Sequence, residues 1–348
     1  MLKKTLFLMS AAAFCLTSLP SLTPTQAATN LAGKTLKIVI PYGPGGTYDK
    51  YGQTFARNLN RHLPGKPTII VQHMPGAGGL KAMNWHYNVA SRDGLTMIVP
   101  LDNSVVTQLM RPEKVRYDAR KMRWIGSSNQ TNIVHVVRTD TGINSVQDFK
   151  KIKPVGGDAG KSGTGYIMQG LVQGVLGTPY KIVIGYKGSS KTIFALERGE
   201  IQTAAYNWLA WSSKVPHWFK GEKPFAKAIV QMGVFRDPDL PKSVPMLSDL
   251  VKDPDQKKAV DFIKVLGLLG RGLSVPPGPP ADLLSTLRTG YDRMNSDPAF
   301  EKDLKKRKLR LIPAKGTQIE NIVNEAINNA SPSVVKTARQ LIYGKEAS

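Results

Sequence analysis

The sequence predicts an α/β fold of two lobes, each a mostly parallel sheet flanked by helices, with a ligand cleft between the lobes. Three observations carry this prediction. Short apolar runs rich in β-branched residues alternate with stretches at helical spacing, the pattern of strand–helix–strand units. Glycine-rich loops separate several of those strands from the helices that follow. The chain, at 348 residues, exceeds the roughly 100–200 residues that one hydrophobic core usually serves, which favours two domains.

Residues 1–27 read as an export signal peptide rather than as part of the fold. Lys3 and Lys4 precede an apolar stretch over residues 5–19, and Thr25 and Ala27 supply small residues for cleavage. The stretch falls short of the ~20 residues that a membrane-spanning helix needs, and no later run reaches that length without a charge. The expected product is exported from the cytoplasm and lacks the single cysteine, Cys15. Neither a disulfide framework nor a cysteine-held metal is then available to it.

Residues 35–41 (TLKIVIP) form the first predicted strand, residues 42–47 a glycine- and proline-rich loop, and residues 49–63 a helix. Residues 68–72, 74–79 and 80–90 repeat strand, loop and helix, and residues 96–100 begin a third unit. A second lobe is expected from the strand at residues 133–138, followed by a helix that Ser145 starts. A helix over 166–176, strands at 181–185 and 201–205 around a helix at 190–198, and a strand at 228–234 complete it. Asp253 then caps a helix from Pro254 to about residue 266. A strand at 270–275, a helix at 281–294 and a last helix opened by Ser331 and Pro332 follow. Residues 28–126 and 235–348 are accordingly assigned to one lobe and residues 127–234 to the other, with two crossovers about which the lobes can hinge.

The chain carries 48 Lys and Arg against 25 Asp and Glu, a formal charge of +23. The cations are scattered, and the densest cluster, residues 302–310 (KDLKKRKLR), has no interleaved aromatics. A nucleic-acid partner is therefore not expected, whereas long-range attraction of small acidic molecules fits the charge. The five histidines lack metal-ligand spacing, so neither metal nor cofactor is expected. Residues 155–165 (VGGDAGKSGTG) miss the phosphate-loop pattern by one position, and no GxSxG nucleophile elbow occurs. The loops at residues 43–46, 76–79 and 160–165 share exposed backbone N–H groups ahead of a helix, which suit a carboxylate. Tight turns alone would also account for each of them.

Five segments in order resemble the tripartite tricarboxylate transporter substrate-binding proteins, the TctC or Bug family. They are residues 38–49 (IVIPYGPGGTYD), 71–79 (VQHMPGAGG), 93–97 (DGLTM), 160–165 (GKSGTG) and 186–189 (YKGS). The resemblance runs from about residue 31 to the C-terminal helix. It implies a periplasmic-binding-protein-like fold and a monomeric periplasmic receptor, not an enzyme. Such a receptor closes on a small organic acid, a di- or tricarboxylate or an aromatic acid, and delivers it to the membrane subunits of a transporter.

The resemblance also implies ligand-binding positions: Tyr42, Gly45, Gly46 and Thr47 in the first loop, with Asp49 beyond it as a ligand contact or a helix cap. Gly76, Ala77 and Gly79 follow from the second loop, and Asn103 and Ser104 from the loop after the third strand. Ser162, Gly163, Thr164, Gly165, Lys187 and Asn207 are implied from the other lobe. Tyr206 stands where family members commonly carry Asp, and Trp208 and Trp211 would either house a ring of the ligand or belong to a core. Two rival readings are an exported enzyme acting on a small acidic substrate, which requires turnover, and a polyanion-binding basic protein, whose affinity would fall steeply with salt.

Overall fold

The structure is a computed structural model that describes residues 28–344; the expected signal peptide lies outside the described residues. The chain first runs through β1 (Thr35–Ile40), α1 (Thr47–Leu59), β2 (Thr68–His73), α2 (Leu80–Asn88), β3 (Thr96–Ile98), α3 (Ser104–Met110) and β4 (Arg123–Ser127). It crosses to β5 (Ile133–Arg138), β6 (Gly156–Asp158), α4 (Thr164–Leu176), β7 (Ile182–Ile184), α5 (Ser189–Glu197), β8 (Thr203–Asn207), α6 (Trp208–Ser212) and β9 (Ala226–Met232). It returns through α7 (Pro254–Ile263), α8 (Leu266–Leu269), β10 (Gly272–Val275), α9 (Ala281–Asn295), α10 (Pro298–Lys306), β11 (Ala314–Lys315), α11 (Gly316–Asn328) and α12 (Pro332–Tyr343).

Two sheets result, ordered β11-β4-β10-β3-β1-β2 and β7-β6-β8-β5-β9. The expected two-lobed α/β architecture is present, but the sheets are mixed rather than mostly parallel. Strands linked by crossover helices pair parallel, β1 with β2 and β3, and β6 with β7 and β8. The strand that enters each sheet directly after the chain has crossed over, β5 or β10, runs antiparallel to both of its neighbours. A crossing strand arrives from the other sheet rather than from a covering helix, so the rule that makes strand–helix–strand units parallel does not bind it.

Helix α1 shows why the first sheet is covered where it is. Tyr48, Tyr51, Phe55 and Leu59 fall at helical spacing and are all buried, and Phe55 meets the Tyr291 ring of α9 edge-on at 5.5 Å. Burying each such side chain contributes about 1.5–3 kcal/mol. A second core gathers around β5, β8, β9 and α4. Helices α7 and α12, placed in the first lobe by their position within 235–348, pack in this second core instead. The cause lies in α4: a Cβ on Gly170 or Gly174 would lie 2.4 Å from a backbone oxygen of α12, Ile342 and Leu341 respectively. Two missing side chains, four residues apart on one helix face, let the backbones touch.

Trp208 and Trp211 belong to a third cluster, with Trp218, Val134 and Leu240, on the other side of the second sheet. The Trp211 indole N–H donates to the Val134 carbonyl at 3.3 Å. Of the two roles left open for these tryptophans, the core role is the one they take. Asp253 caps α7 as expected, accepting N–H bonds from Asp255 and Gln256, but the helix stops at Ile263. Ser145 starts only a short 3-10 turn over residues 146–150.

Candidate ligand-binding cleft

The parallel strands of both sheets end towards one another, and the helices that follow them start there, which is where open α/β sheets bind ligands. A cavity of about 30 Å³ lies at the meeting point. Tyr42, Gly46, Thr47, Tyr48, Asp102 and Arg271 line it from the first sheet; Thr164, Ser189, Tyr206, Asn207 and Ala210 line it from the second. This volume would hold a water or two and is too small for an organic acid, so the walls stand closed on each other.

Arg271 and Asp102 form the charged centre of the first wall. The guanidinium donates to Asp102 Oδ2 at 2.7 Å, both side chains are at most 4% exposed, and the guanidinium lies over the Tyr48 ring at 3.8 Å. Burial works against the Arg271 charge, but Tyr48 and Asp102 more than offset it and hold its pKa above the ordinary value. Asp102 is held twice more: its N–H donates to the Tyr48 hydroxyl at 3.0 Å, and the Thr164 hydroxyl donates to its Oδ1 at 2.6 Å from across the seam. The Nε–H of Arg271 is buried without an acceptor among the described residues.

Asp158 lies buried behind the second wall and has no cation partner among the described residues. It sits beneath the start of α4, where the Tyr166 N–H donates to its Oδ2 at 2.9 Å. Burial pushes its pKa up to about 6, against the opposing pull of the Tyr206 hydroxyl and of the N–H groups of Ala159, Tyr166 and Gly160. Tyr206 lines the cavity, and its hydroxyl donates to Thr192 Oγ1 at 2.7 Å.

Of the positions expected from sequence, Tyr42, Gly46, Thr47, Thr164 and Asn207 line the cavity. Gly45 and Asp49 stand behind the first loop: the Asp49 carboxylate accepts the Gly45 N–H at 2.8 Å and bonds His73 at 2.7 Å, so it fastens the loop. Gly76, Ala77, Gly79 and Lys187 border a neighbouring pocket, and the Lys187 carbonyl accepts the Gly43 N–H at 2.7 Å. Asn103 donates across the seam to the Ser162 carbonyl at 2.7 Å, while the Ser162 hydroxyl accepts from Arg111 at 2.8 Å. The buried Ser104 carbonyl accepts from the Tyr117 hydroxyl.

The second and third glycine loops pack on each other: a Cβ on Gly78 would lie 2.5 Å from the Gly163 nitrogen, and one on Gly160 2.7 Å from the Gly78 nitrogen. Gly163 and Gly165 have no room for a Cβ either, because Asp158 Oδ2 lies 2.0 Å from the first position and the Ala205 carbonyl oxygen 2.2 Å from the second. These glycines permit close contact within the protein, and of the loop glycines only Gly46 lines the cavity.

Sequence reasoning did not place Tyr48, Asp102, Ser189, Tyr206, Ala210 or Arg271 in the site. Arg271 left one usable trace, a lone charge inside the apolar stretch 265–275 (VLGLLGRGLSV), where a charge is costly unless paired. Asp102 directly precedes Asn103 and Ser104, the two positions that the resemblance implies.

Two α/β sheets joined by crossings, with a closed cavity at their meeting point, define a two-lobed solute-binding protein of the periplasmic kind. The periplasmic binding protein BugD superposes with a TM-score of 0.68 over 85% of this chain and 94% of its own, at 17% identity. MatC from Rhodopseudomonas palustris, with bound malate, gives 0.68 over 86% and 98%, at 18% identity. A UPF0065 protein of Bordetella pertussis is 20% identical over 327 residues, 90% of this chain and 92% of that one. Residues 53–338 match the tripartite tricarboxylate transporter family receptor, TctC, and the chain belongs to that family.

Proposed function

We propose that this receptor captures a small organic carboxylate in the cavity, in the periplasm, and hands it unchanged to the membrane subunits of a tripartite transporter. One observation carries the ligand class: the buried Arg271 keeps its Nε–H without an acceptor in the wall of a cavity on which two helices open. Helices α1 and α5 begin there with no capping side chain, so their first N–H groups and the positive ends of their dipoles meet the same space. An unmet buried donor costs about 1–3 kcal/mol, and a carboxylate satisfies several donors at once. MatC, which shares the fold, holds the dicarboxylate malate.

In this reading Arg271, Thr47 and Asn207 give side-chain contacts, Thr164 holds Asp102 in place, Gly46 contributes through its backbone and Ser189 through its backbone and hydroxyl. The protein acts as a monomer. One lobe consists of the first sheet with α1, α2, α9, α10 and α11, the other of the second sheet with α4, α5, α7 and α12, and the crossings at residues 128–132, 264–271 and 329–331 let them part. The test is a thermal-shift screen of residues 28–348, freed of co-purified ligand, against malate, succinate, citrate, benzoate and neutral analogues. A ligand bound only by the native state raises the melting temperature by mass action. A rise confined to a few acids, each recovered chemically intact after incubation, is expected; a flat response to every acid overturns the reading.

A further inference from the structure

A second and larger cavity, of about 750 Å³, opens beside β9, the strand that ends the second sheet. Helix α6 divides it from the cleft by its own periodicity. Asn207 and Ala210 line the cleft cavity, whereas Trp208 and Ser212, four residues apart on another face, line this one. None of the residues assigned to carboxylate capture borders it.

Its walls are stiff. Pro216, Pro224, Pro241 and Pro245 line it, each with a fixed φ and no backbone donor. The connection after β9 is pinned to that strand, because the Gln231 N–H donates to the Pro245 carbonyl at 2.9 Å and the Gln231 side-chain amide to the Val244 carbonyl at 3.1 Å. Pro224 is held in the same manner, its carbonyl accepting the Thr139 hydroxyl at 2.6 Å. Walls fastened in this way keep the space open, and its volume falls within the range of small-molecule sites, about 300–1,000 Å³.

The lining defines the chemistry of an occupant. The Trp208 and Phe219 rings meet edge-on at 5.1 Å and, with Leu240 and Val244, give an apolar surface. Trp208 is 6% exposed, yet its indole N–H has no acceptor among the described residues, an expense that an incoming oxygen removes. Two cations border the same space, Lys220 and Lys227. Lys227 donates to the Asn144 side-chain oxygen, and neither lysine is ion-paired among the described residues. The acid of the lining, Asp239, is engaged by Arg310. An anion entering here therefore meets two ammonium groups that no carboxylate neutralises.

We propose that this cavity is a second binding site, separate from the cleft, for an amphipathic monoacid. A bulky aromatic or alkyl body packs on Trp208, Phe219, Leu240 and Val244, and the oxygens of one anionic group serve Lys220, Lys227 and the Trp208 N–H. The proposal does not rest on the carboxylate reading of the cleft.

Titration calorimetry compares 2-naphthoate with 2-naphthalenemethanol and decanoate with decanol, and the indole N–H resonance of Trp208, assigned by its loss in Trp208→Phe, reports where each binds. The wild type should bind each acid about tenfold more tightly than its alcohol, the scale of a hydrogen bond to a charged group, and the Trp208 resonance should shift on binding. Lys220→Met/Lys227→Met should bring acid and alcohol to within about threefold of each other, whereas Lys220→Arg/Lys227→Arg retains the preference because it retains the charges. Ala228→Trp, which fills the cavity from β9, should abolish the shift; if that variant fails to fold, the lysine pairs decide alone. No binding of either acid by the wild type, binding that leaves the Trp208 resonance in place, or a preference unchanged in the methionine pair overturns the site.

Discussion

Asp102 lines the cavity and Asp158 lies at the start of α4 behind the opposite wall; they are 3% and 1% exposed and are held by different means. Asp102 meets a guanidinium at 2.7 Å and a threonine hydroxyl from the other wall. Asp158 has only dipoles, the N–H groups at the start of α4 and the Tyr206 hydroxyl, and its pKa climbs to about 6. Partial charges at a helix start stabilise an anion, but less than a buried full charge in contact with it. One wall therefore carries an ion pair, and behind the other lies a carboxyl whose pKa burial raises to about 6.

Breaking the ion pair has the largest expected effect. Arg271→Met leaves the Asp102 carboxylate buried with no cation, which costs about 3–5 kcal/mol, whereas removing both members of a buried pair is often nearly neutral. Urea unfolding should show the single variant destabilised by that amount and Arg271→Met/Asp102→Leu restored most of the way, with carboxylate binding lost in both. A double variant as unstable as the single one would mean that packing of Arg271 on Tyr48, and not the pair, holds this wall.

The opposite wall is tested by Asp158→Asn, which keeps an acceptor but cannot ionise. The folded pKa of about 6 lies above the ordinary 3.8, so ionising Asp158 opposes folding. Its contribution to wild-type stability is fully present below about pH 3.8 and is lost as pH rises through 6. A shift of this size corresponds to about 3 kcal/mol, so the stability advantage of Asp158→Asn over the wild type should grow by up to that amount between pH 4 and pH 7. Protonation also removes a negative charge from behind the cavity wall, where it acts on Tyr42 and Tyr206, so carboxylate affinity of the wild type, but not of the variant, should rise from pH 7 to pH 5.5. Parallel stability curves for the two proteins would show that Asp158 does not titrate in this range.

The two walls also differ in how far they could be read from sequence. The loop that opens on the cavity was legible because its neighbours are local: a β-branched run makes β1, and helical spacing makes α1. Strand β6 (Gly156–Asp158) was not, since two glycines have no strand propensity. They are small because a Cβ on Gly157 would lie 2.5 Å from Ile201 and 3.1 Å from Tyr186, a demand that only the folded sheet states. Asp102 and Arg271 were missed for a similar reason. They lie 169 residues apart in sequence, and a charge is known to be buried only once its partner is known. The glycine loops at residues 76–79 and 160–163 carried the same composition as the first loop, yet they face each other. Composition announced a close backbone approach, and topology decided what approaches.

The smallest expected effects come from one substitution made on both walls, Thr164→Val and Thr47→Val. Each removes a hydroxyl at nearly constant volume from the first residue of a 13-residue helix at the cavity. Thr164 spends its hydroxyl within the protein, on Asp102, and a hydrogen bond to a charged group contributes about 1.5–3 kcal/mol. Its loss should therefore lower both stability and ligand affinity. Thr47 lines the cavity, and no protein acceptor of its hydroxyl lies among the described residues. Removing it should leave urea unfolding unchanged and weaken carboxylate binding by about 2–10-fold, the equivalent of about 0.5–1.5 kcal/mol for one neutral hydrogen bond, because the N–H groups at the start of α1 remain. Equal stability losses in the two variants would put the Thr47 hydroxyl in the scaffold rather than in the ligand site. An unchanged affinity for Thr47→Val would leave the first wall binding through Arg271 and the backbone alone.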